Sequence, residues 1–462
     1  MLKYLSLLGP VPLAICTLSV WLNGAETVPN PTDARPNILV IFTDDQGWHD
    51  VGCYGSEIPT PSIDRLAKEG MRFTQFYAAS SICTPSRFGL LTGQNPTRSQ
   101  DELLEALMFL SPSDARRGLR AGERTYVQLL QQDGYRTALV GKWHLGHGEE
   151  EFWPTEHGFD SFFGHTAGCV DFFTLHYGSQ PDWYRGRELV SPEQYATDAI
   201  TNEAMSFLQQ QSSSDQPFYL HVAFNAPHYG KAEDPKTGKA INVMQPKPED
   251  LAKVGSYIGD TLRREFAATV MGMDESIGKL LDVLDDTKLA QNTLVFFMTD
   301  HGGDPNFGGS NLPLRGTKAT LFEGGIRVPC IIRWPKRIRA NSINDSICWA
   351  MDMYPTFCEA AGVDFSNDQQ RLDGVSLWPN IDSGLELSER LLWWQTGKHE
   401  ELGRNAWLAA RHGKWKLVQS PGNSPMLFDL SVDPNETSDL SDKFDYLVTE
   451  ITKAIDLTKD QR

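Results

Sequence analysis

The sequence predicts an α/β protein in which a large sheet containing parallel strands is flanked by helices and followed by a smaller antiparallel-sheet α+β lobe. Three observations predict it. Short apolar, β-rich runs alternate with helical patterns over most of the chain. Asn37–Thr43 (NILVIFT) is almost wholly apolar, the mark of a strand buried on both faces. Beyond about Gly374 the pattern changes to short strands separated by turn residues, which marks a small antiparallel sheet. A chain of 462 residues has room for both parts. Its 40% hydrophobic and 22% charged residues exclude a disordered, collagen-like or multi-span membrane protein.

The elements follow in order. Lys3 precedes a mostly apolar stretch, Tyr4 to Leu22, and then Asn23-Gly24-Ala25, so residues 1–25 read as a secretory signal cleaved near Ala25. Gly9, Pro10 and Pro12 interrupt the stretch, and about 20 apolar residues are needed to span a bilayer, so no stable membrane span is expected. The expected location is periplasmic or secreted. After the first strand, Ile63, Leu66 and Ala67 mark a helical face closed by Gly70, and Tyr126–Leu130 with Gly134 repeats the device. Tyr135–Val140, Phe218–Phe224 and Leu294–Thr299 are further buried strands. Arg264–Asp285 is a long amphipathic helix with Phe266, Val270, Met273, Ile277, Leu280, Leu281 and Leu284 spaced by threes and fours. The large domain is placed at 36–373 and the small-sheet lobe at 374–462. In the lobe, Trp393-Trp394, Trp407–Ala410, Trp415–Gln419 and Met426–Leu430 are strands. A final helix, 442–457, packs on them through Tyr446, Leu447, Ile451 and Ile455.

Formal charge is −18, with 42 Lys and Arg against 60 Asp and Glu, so the surface repels polyanions and nucleic acid is excluded as a partner. An anionic substrate then requires cations converging in a pocket. Cys53, Cys83, Cys169, Cys330, Cys348 and Cys358 lie beyond the signal and show no zinc spacing. Cys348 and Cys358 are the nearest couple, but the plain reading is buried free thiols.

In open α/β sheets, ligands bind beyond the carboxyl ends of strands. Those positions are unusually polar here: Asp44-Asp45-Gln46-Gly47, Gly141-Lys142-Trp143-His144, Asn225-Ala226-Pro227-His228 and Asp300-His301-Gly302-Gly303. Any one of them is an ordinary turn or cap. Four together point to a site, and carboxylates from two strand ends suit a hard cation such as calcium or magnesium. Cys83-Thr84-Pro85-Ser86-Arg87 opens a helix with Pro85 in its first turn, placing Cys83 beside helix-terminal N–H groups as an activated thiol candidate.

The Cys83–Arg87 segment resembles the signature of the type I sulfatases, in which such a Cys is oxidised to formylglycine before folding. Asn37–Gly47, Leu90-Leu91-Thr92-Gly93, Gly134–Gly146, Leu314–Pro329 (LRGTKATLFEGGIRVP) and Leu427–Leu440 (LFDLSVDPNETSDL) also resemble family blocks, in family order. The resemblance implies an alkaline-phosphatase-like fold, a large mixed sheet flanked by helices, and hydrolysis of sulfate esters. It implies that Cys83 becomes the formylglycine whose hydrate attacks sulfur, with Arg87 holding it. Asp44, Asp45, Asp300 and His301 would bind Ca2+, the modified Cys83 completing the set. Lys142 and His144 would support the diol, while Lys318 and His228 grip the sulfate and assist the leaving oxygen. A formylglycine-generating maturation enzyme is the implied partner. Two departures stand out: many members carry Asn where this chain has His301, and Thr317 occupies a position where a smaller residue is expected.

The aromatic and polar insertion before the Tyr195–Gln211 helix, with Asp171, His176, Trp183 and Arg185, is expected to line the substrate subsite by stacking on a sugar. Its flank, Phe159–Phe173, resembles arylsulfatase and N-acetylgalactosamine sulfatase relatives, implying a sulfated carbohydrate or aryl sulfate substrate. The alternatives are a phosphonate monoester or phosphodiester hydrolase of the same superfamily, and a silent sulfated-glycan binder. The presence of every key residue argues against the second alternative.

Overall fold

Asn37–Asp44 (β1) is buried along its whole length, as an uninterrupted apolar run requires, and it lies at the centre of the molecule. The computed structural model describes residues 35–399 and 403–460, so the expected signal segment lies outside the described residues. The large sheet adds Met71–Phe73 (β2), Arg136–Lys142 (β3), Ser161–His165 (β4), Tyr184–Arg185 (β5) and Glu188–Leu189 (β6). It is completed by Phe218–Pro227 (β7), Thr293–Thr299 (β8), Cys330–Arg333 (β9) and Ser342–Asn344 (β10). Their order across the sheet is β10-β2-β9-β8-β1-β7-β3-β4-β5-β6. The central strands β8, β1, β7, β3 and β4 are all parallel, whereas β9 and β5 join antiparallel, so the sheet is mixed.

Alternate residues of β1 feed two cores. Leu39 and Ile41 pack with Ile63 and Leu66 of Pro61–Glu69 (α1), and with Met273, Ile277 and Leu280 of the long helix. Ile38, Val40 and Phe42 face Phe88 of Cys83–Thr92 (α2), Leu130 of Tyr126–Gln132 (α3) and, later in the chain, Phe357. Helices therefore cover both faces, and the predicted fold class holds. Ala196–Gln211 (α4) and the long helix Thr261–Asp286 (α5) pack side by side against the Leu39 face. The Asp260 side chain caps α5 by accepting from Arg263 N at 2.7 Å.

Leu391–Gln395 (β11), Leu408–His412 (β12), Trp415–Gln419 (β13) and Met426–Asp429 (β14) form an antiparallel sheet in sequence order. One face presents Trp394, Ala409, Val418 and Phe428 to the main core. The other presents Trp393, Ala410, Leu417 and Leu427, covered by Ile451 and Ile455 of Asp445–Asp460 (α6). Tyr446 is a correction: it is 56% exposed, and Phe444 and Leu447 take the packing expected of it. The six described cysteines are free. Among the described residues no helix is long and apolar enough to cross a membrane.

Candidate active site

Because β1, β7, β8 and β3 are parallel, their carboxyl ends meet at one edge, with a register shift between β1 and β7 just before Asp44. Thr43 pairs with Thr299, Asp44 with Pro227 and Lys142 with His165. The residues that follow are buried: Asp44, Asp45, Lys142, His144, His228, Asp300 and His301. Asp45 (φ 64°) and His144 (φ 57°) adopt the left-handed backbone region, a strain that non-glycine residues bear only where surrounding contacts fix it. α2 begins at Cys83, with Pro85 in its first turn, and is buried over all ten residues.

The side chains converge on Cys83. Its Sγ lies 3.2 Å from His301 Nε2 and 3.6 Å from Asp44 Oδ1. Lys142 Nζ donates to Asp44 Oδ2 at 2.6 Å, and Lys318 Nζ donates to both Asp45 oxygens at 2.7 and 2.8 Å. His301 Nε2 is 3.4 Å from Asp45 Oδ1 and 3.5 Å from Asp300 Oδ2, and His228 Nε2 is 3.5 Å from Asp45 Oδ2. Arg87 Nη1 donates to the Lys142 carbonyl at 3.0 Å, and its Nη2 lies 3.7 Å from Asp300 Oδ2. His144 Nε2 bonds to the Leu107 carbonyl at 3.0 Å, and its Nδ1 is buried without a partner.

These contacts set the charges. Burial pushes Asp44 up, but Lys142 and Arg87 overcome it and hold the carboxyl well below the usual range. Asp300 fares differently: burial, with Asp44 and Cys83 nearby, keeps its pKa well above the usual value despite His301 and Arg87. Burial opposes ionisation of the Cys83 thiol, yet Lys142 and Lys318 bring it to about 7. His301 is held at about 9, because Asp300, Cys83 and Asp45 outweigh burial. Burial, reinforced by Lys318, holds His228 at about 3 in spite of Asp45.

The donor set fits a hard divalent cation. Asp44, Cys83, Asp300 and His301 offer ligand atoms within 4.8 Å of one another, and so do Asp44, Asp45, Cys83 and His228. Asp300 Oδ2 is buried and accepts no hydrogen bond, which leaves a carboxylate oxygen open to a cation. Three carboxylates favour calcium or magnesium, whereas the Cys83 thiol and the His301 imidazole are softer donors.

A family profile described as Sulfatase matches residues 36–363. The chain belongs to the sulfatase family. It is therefore a sulfuric ester hydrolase. A second profile, N-sulphoglucosamine sulphohydrolase, C-terminal, matches residues 317–461 of this sulfatase. N-acetylgalactosamine-6-sulfatase of Canis lupus familiaris is 32% identical over 471 residues, covering 90% of this chain and 83% of that protein. Arylsulfatase A of Bos taurus is also 32% identical, covering 96% and 90% respectively. The crystal structure of Ps i-CgsB matches with a TM-score of 0.82 at 30% identity, covering 91% of this chain and 92% of the other. That protein has also been crystallised in complex with k-i-k-neocarrahexaose.

Two of the four insertion residues expected to meet a sugar are committed to other contacts. Trp183 is a correction: it is 1% exposed, packed between His165 and Phe163, and offers no face to a sugar. Arg185 is another, being committed to Glu203 through bonds of 2.6 and 2.7 Å and stacked over Phe163. The Asp171 carboxylate organises its own loop, accepting from Phe173 N, Thr174 N and Gln245 Nε2. His176 sits half-buried in a two-residue strand opposite Pro181. Composition had suggested stacking, but the aromatic rings are needed to fill the edge of the sheet.

Two neighbours of the site, Tyr229 and His165, escaped the sequence reading, while Asn225 was named only within the polar run that ends at His228. Tyr229 stacks on His228 with centroids 3.9 Å apart and lies 5.8 Å from Lys318 Nζ. Asn225 is buried with neither side-chain polar atom paired. His165 pairs with Lys142 across β3 and β4, with a buried, unpartnered Nε2. Tyr229 follows the β7 end, a positional signal that was available; His165 gave none beyond its place in the insertion.

Proposed function

We propose that this sulfatase removes sulfate from a sulfated saccharide, using formylglycine formed from Cys83 and calcium held by Asp44, Asp45, Asp300 and His301. The observation that carries the reading is the convergence of Cys83 with those acids and with Lys142 and Lys318 at one sheet edge. The saccharide rests on the names of the relatives, N-acetylgalactosamine-6-sulfatase and a structure bound to k-i-k-neocarrahexaose. The Tyr4–Leu22 stretch supports export to the periplasm or beyond the cell.

Matured, position 83 would supply an aldehyde hydrate as the nucleophile at sulfur, its second hydroxyl allowing the aldehyde to be regenerated as sulfate leaves. Calcium held by Asp44, Asp45, Asp300 and His301 would supply Lewis acidity to the sulfuryl group. The remaining roles fall to side chains. Lys142 and Lys318 place two ammonium groups where negative charge gathers, a preorganised field in a site shielded from water. Arg87 anchors the end of β3 through the Lys142 carbonyl. The His144 Nε2 bond to Leu107 leaves Nδ1 as an acceptor for a hydroxyl proton at position 83. His228 Nδ1 donates to the Tyr229 carbonyl at 2.8 Å, leaving Nε2 to face the leaving oxygen. Lys318 and His228, both beside Asp45, grip the sulfate and assist the leaving oxygen.

The test is peptide mass spectrometry of residue 83 after co-expression with a formylglycine-generating enzyme, joined to assays with and without calcium. The expected outcome is an aldehyde at 83, with activity on aryl sulfate and sulfated oligosaccharide that is lost to a chelator and restored by calcium. Full activity from an unmodified thiol defeats the mechanism. Strong preference for a phosphonate or phosphodiester defeats the choice of reaction.

A further inference from the structure

The Leu427–Leu440 block lies in the C-terminal lobe, and none of its residues touches Cys83 in the contacts described above. Its Glu436 is fully buried, with a left-handed backbone at φ 52°. The Glu436 carboxylate accepts from Glu323 N at 2.7 Å, and its carbonyl accepts from Arg315 Nη1 at 2.7 Å. Arg315 and Glu323 are the two ends of the loop that carries Lys318, and Gly324 N closes that loop onto the Arg315 carbonyl at 2.6 Å. One residue of the lobe thus fastens both ends of a loop belonging to the main body.

The fastening is braced by charge. Lys416 of β13 is fully buried, donates to Glu323 Oε1 at 2.8 Å and lies 3.5 Å from Glu436 Oε1. Glu323 Oε2 accepts from Tyr77 Oη at 2.7 Å and from Arg327 at 3.4 Å. Within the loop, Lys318 N donates to the Gly303 carbonyl and Ala319 N to the Ser81 carbonyl. The loop therefore meets both the Asp300 turn and the approach to α2. Such a buried pair is weak evidence of added stability, but it fixes one arrangement of the groups it ties.

We infer that Glu436, braced by Lys416, is a positioning residue for the sulfatase reaction, setting the Lys318 ammonium through the 315–323 loop. This rests on Lys318 contacting the sulfate, as proposed above. A displacement of about 1 Å in such a group is enough to cost up to two orders of magnitude in rate.

The experiment compares matured wild type with E436A, E436Q, R315M, K318A and E436A/K318A, by steady-state kinetics on an aryl sulfate and by hydrogen exchange. R315M changes an exposed side chain and keeps the test open should E436A fail to fold. E436A and R315M are expected to lower kcat/KM, E436A on the order of tenfold or more, mainly through KM. E436Q, which retains an acceptor for Glu323 N, is expected to recover most of the loss. Amide exchange over residues 315–326 should rise in E436A and R315M. The double variant should be no worse than K318A alone, since both changes act through one group. Wild-type kinetics in E436A or R315M, or fully additive losses in the double variant, overturn the inference while a crippled K318A leaves the sulfate-contact reading standing. Wild-type kinetics in K318A overturn that reading and the inference with it.

Discussion

His157 is fully buried behind Trp143, its ring stacked on the indole and its Nε2 bonded to the Glu151 carbonyl at 2.8 Å. Burial holds it at about 4, below the free value of 6.5. The folded state thus binds this proton later than the unfolded chain as pH falls. The stability it confers is full above about pH 6.5 and is lost progressively down through pH 4, about 3 kcal/mol in all. H157Q is expected to be less stable at pH 7.5 by roughly 1 kcal/mol, through the weakened bond to Glu151. Its denaturant midpoint should fall less steeply between pH 6.5 and 4; an acid limb parallel to wild type would refute the assignment. At this scale the sequence was most legible where chemistry and strand ends coincide, as at Asp44, Asp300 and Lys142. It misled at Trp183 and Arg185, because an aromatic-rich loop has the same composition whether its rings meet a ligand or one another.

Among the elements, β3 shows how tightly the site is framed. Gly141 has φ 111°, and a Cβ there would sit 1.9 Å from the Ala223 carbonyl of β7. The next residue is Lys142, so any side chain at 141 would pry apart the two strands that deliver Lys142 and His228. G141A is expected to destabilise the protein by on the order of 3 kcal/mol or more, measured by thermal melting. An unchanged melting temperature would show that the strands tolerate the separation. The long elements were legible because their apolar period is long enough to read: the predicted helix 264–285 runs from Thr261 to Asp286, and the strand at 294–299 begins at Thr293. The two-residue strands β5 and β6 were not, since two residues carry no period.

Over the whole molecule, the small sheet is a shared wall. Its inner face completes the main core and its outer face is sealed by α6, where Ile455 is fully buried among Trp393, Leu417 and Leu427. I455D places a carboxylate in that apolar seam, and a loss on the order of 3 kcal/mol or more is expected. Limited proteolysis should then cut first within the C-terminal lobe; resistance equal to wild type would mean that α6 contributes little to holding the sheet. The change in sequence pattern near Gly374 made this sheet legible as strands. Its adhesion to the main body was not, because Lys416 and Arg411 look like solvent-facing charges in a strand and prove to be buried partners of Glu323 and Tyr77.

The clasp at Glu436 also has a meaning in time. A ribosome releases Asp44 and Asp45 almost four hundred residues before residue 436, so a nascent chain carries its acids and its nucleophile long before Lys318 can be held in place. A chain cut short by a late stop codon would keep every group of the pocket and still lack the grip that sets one of them.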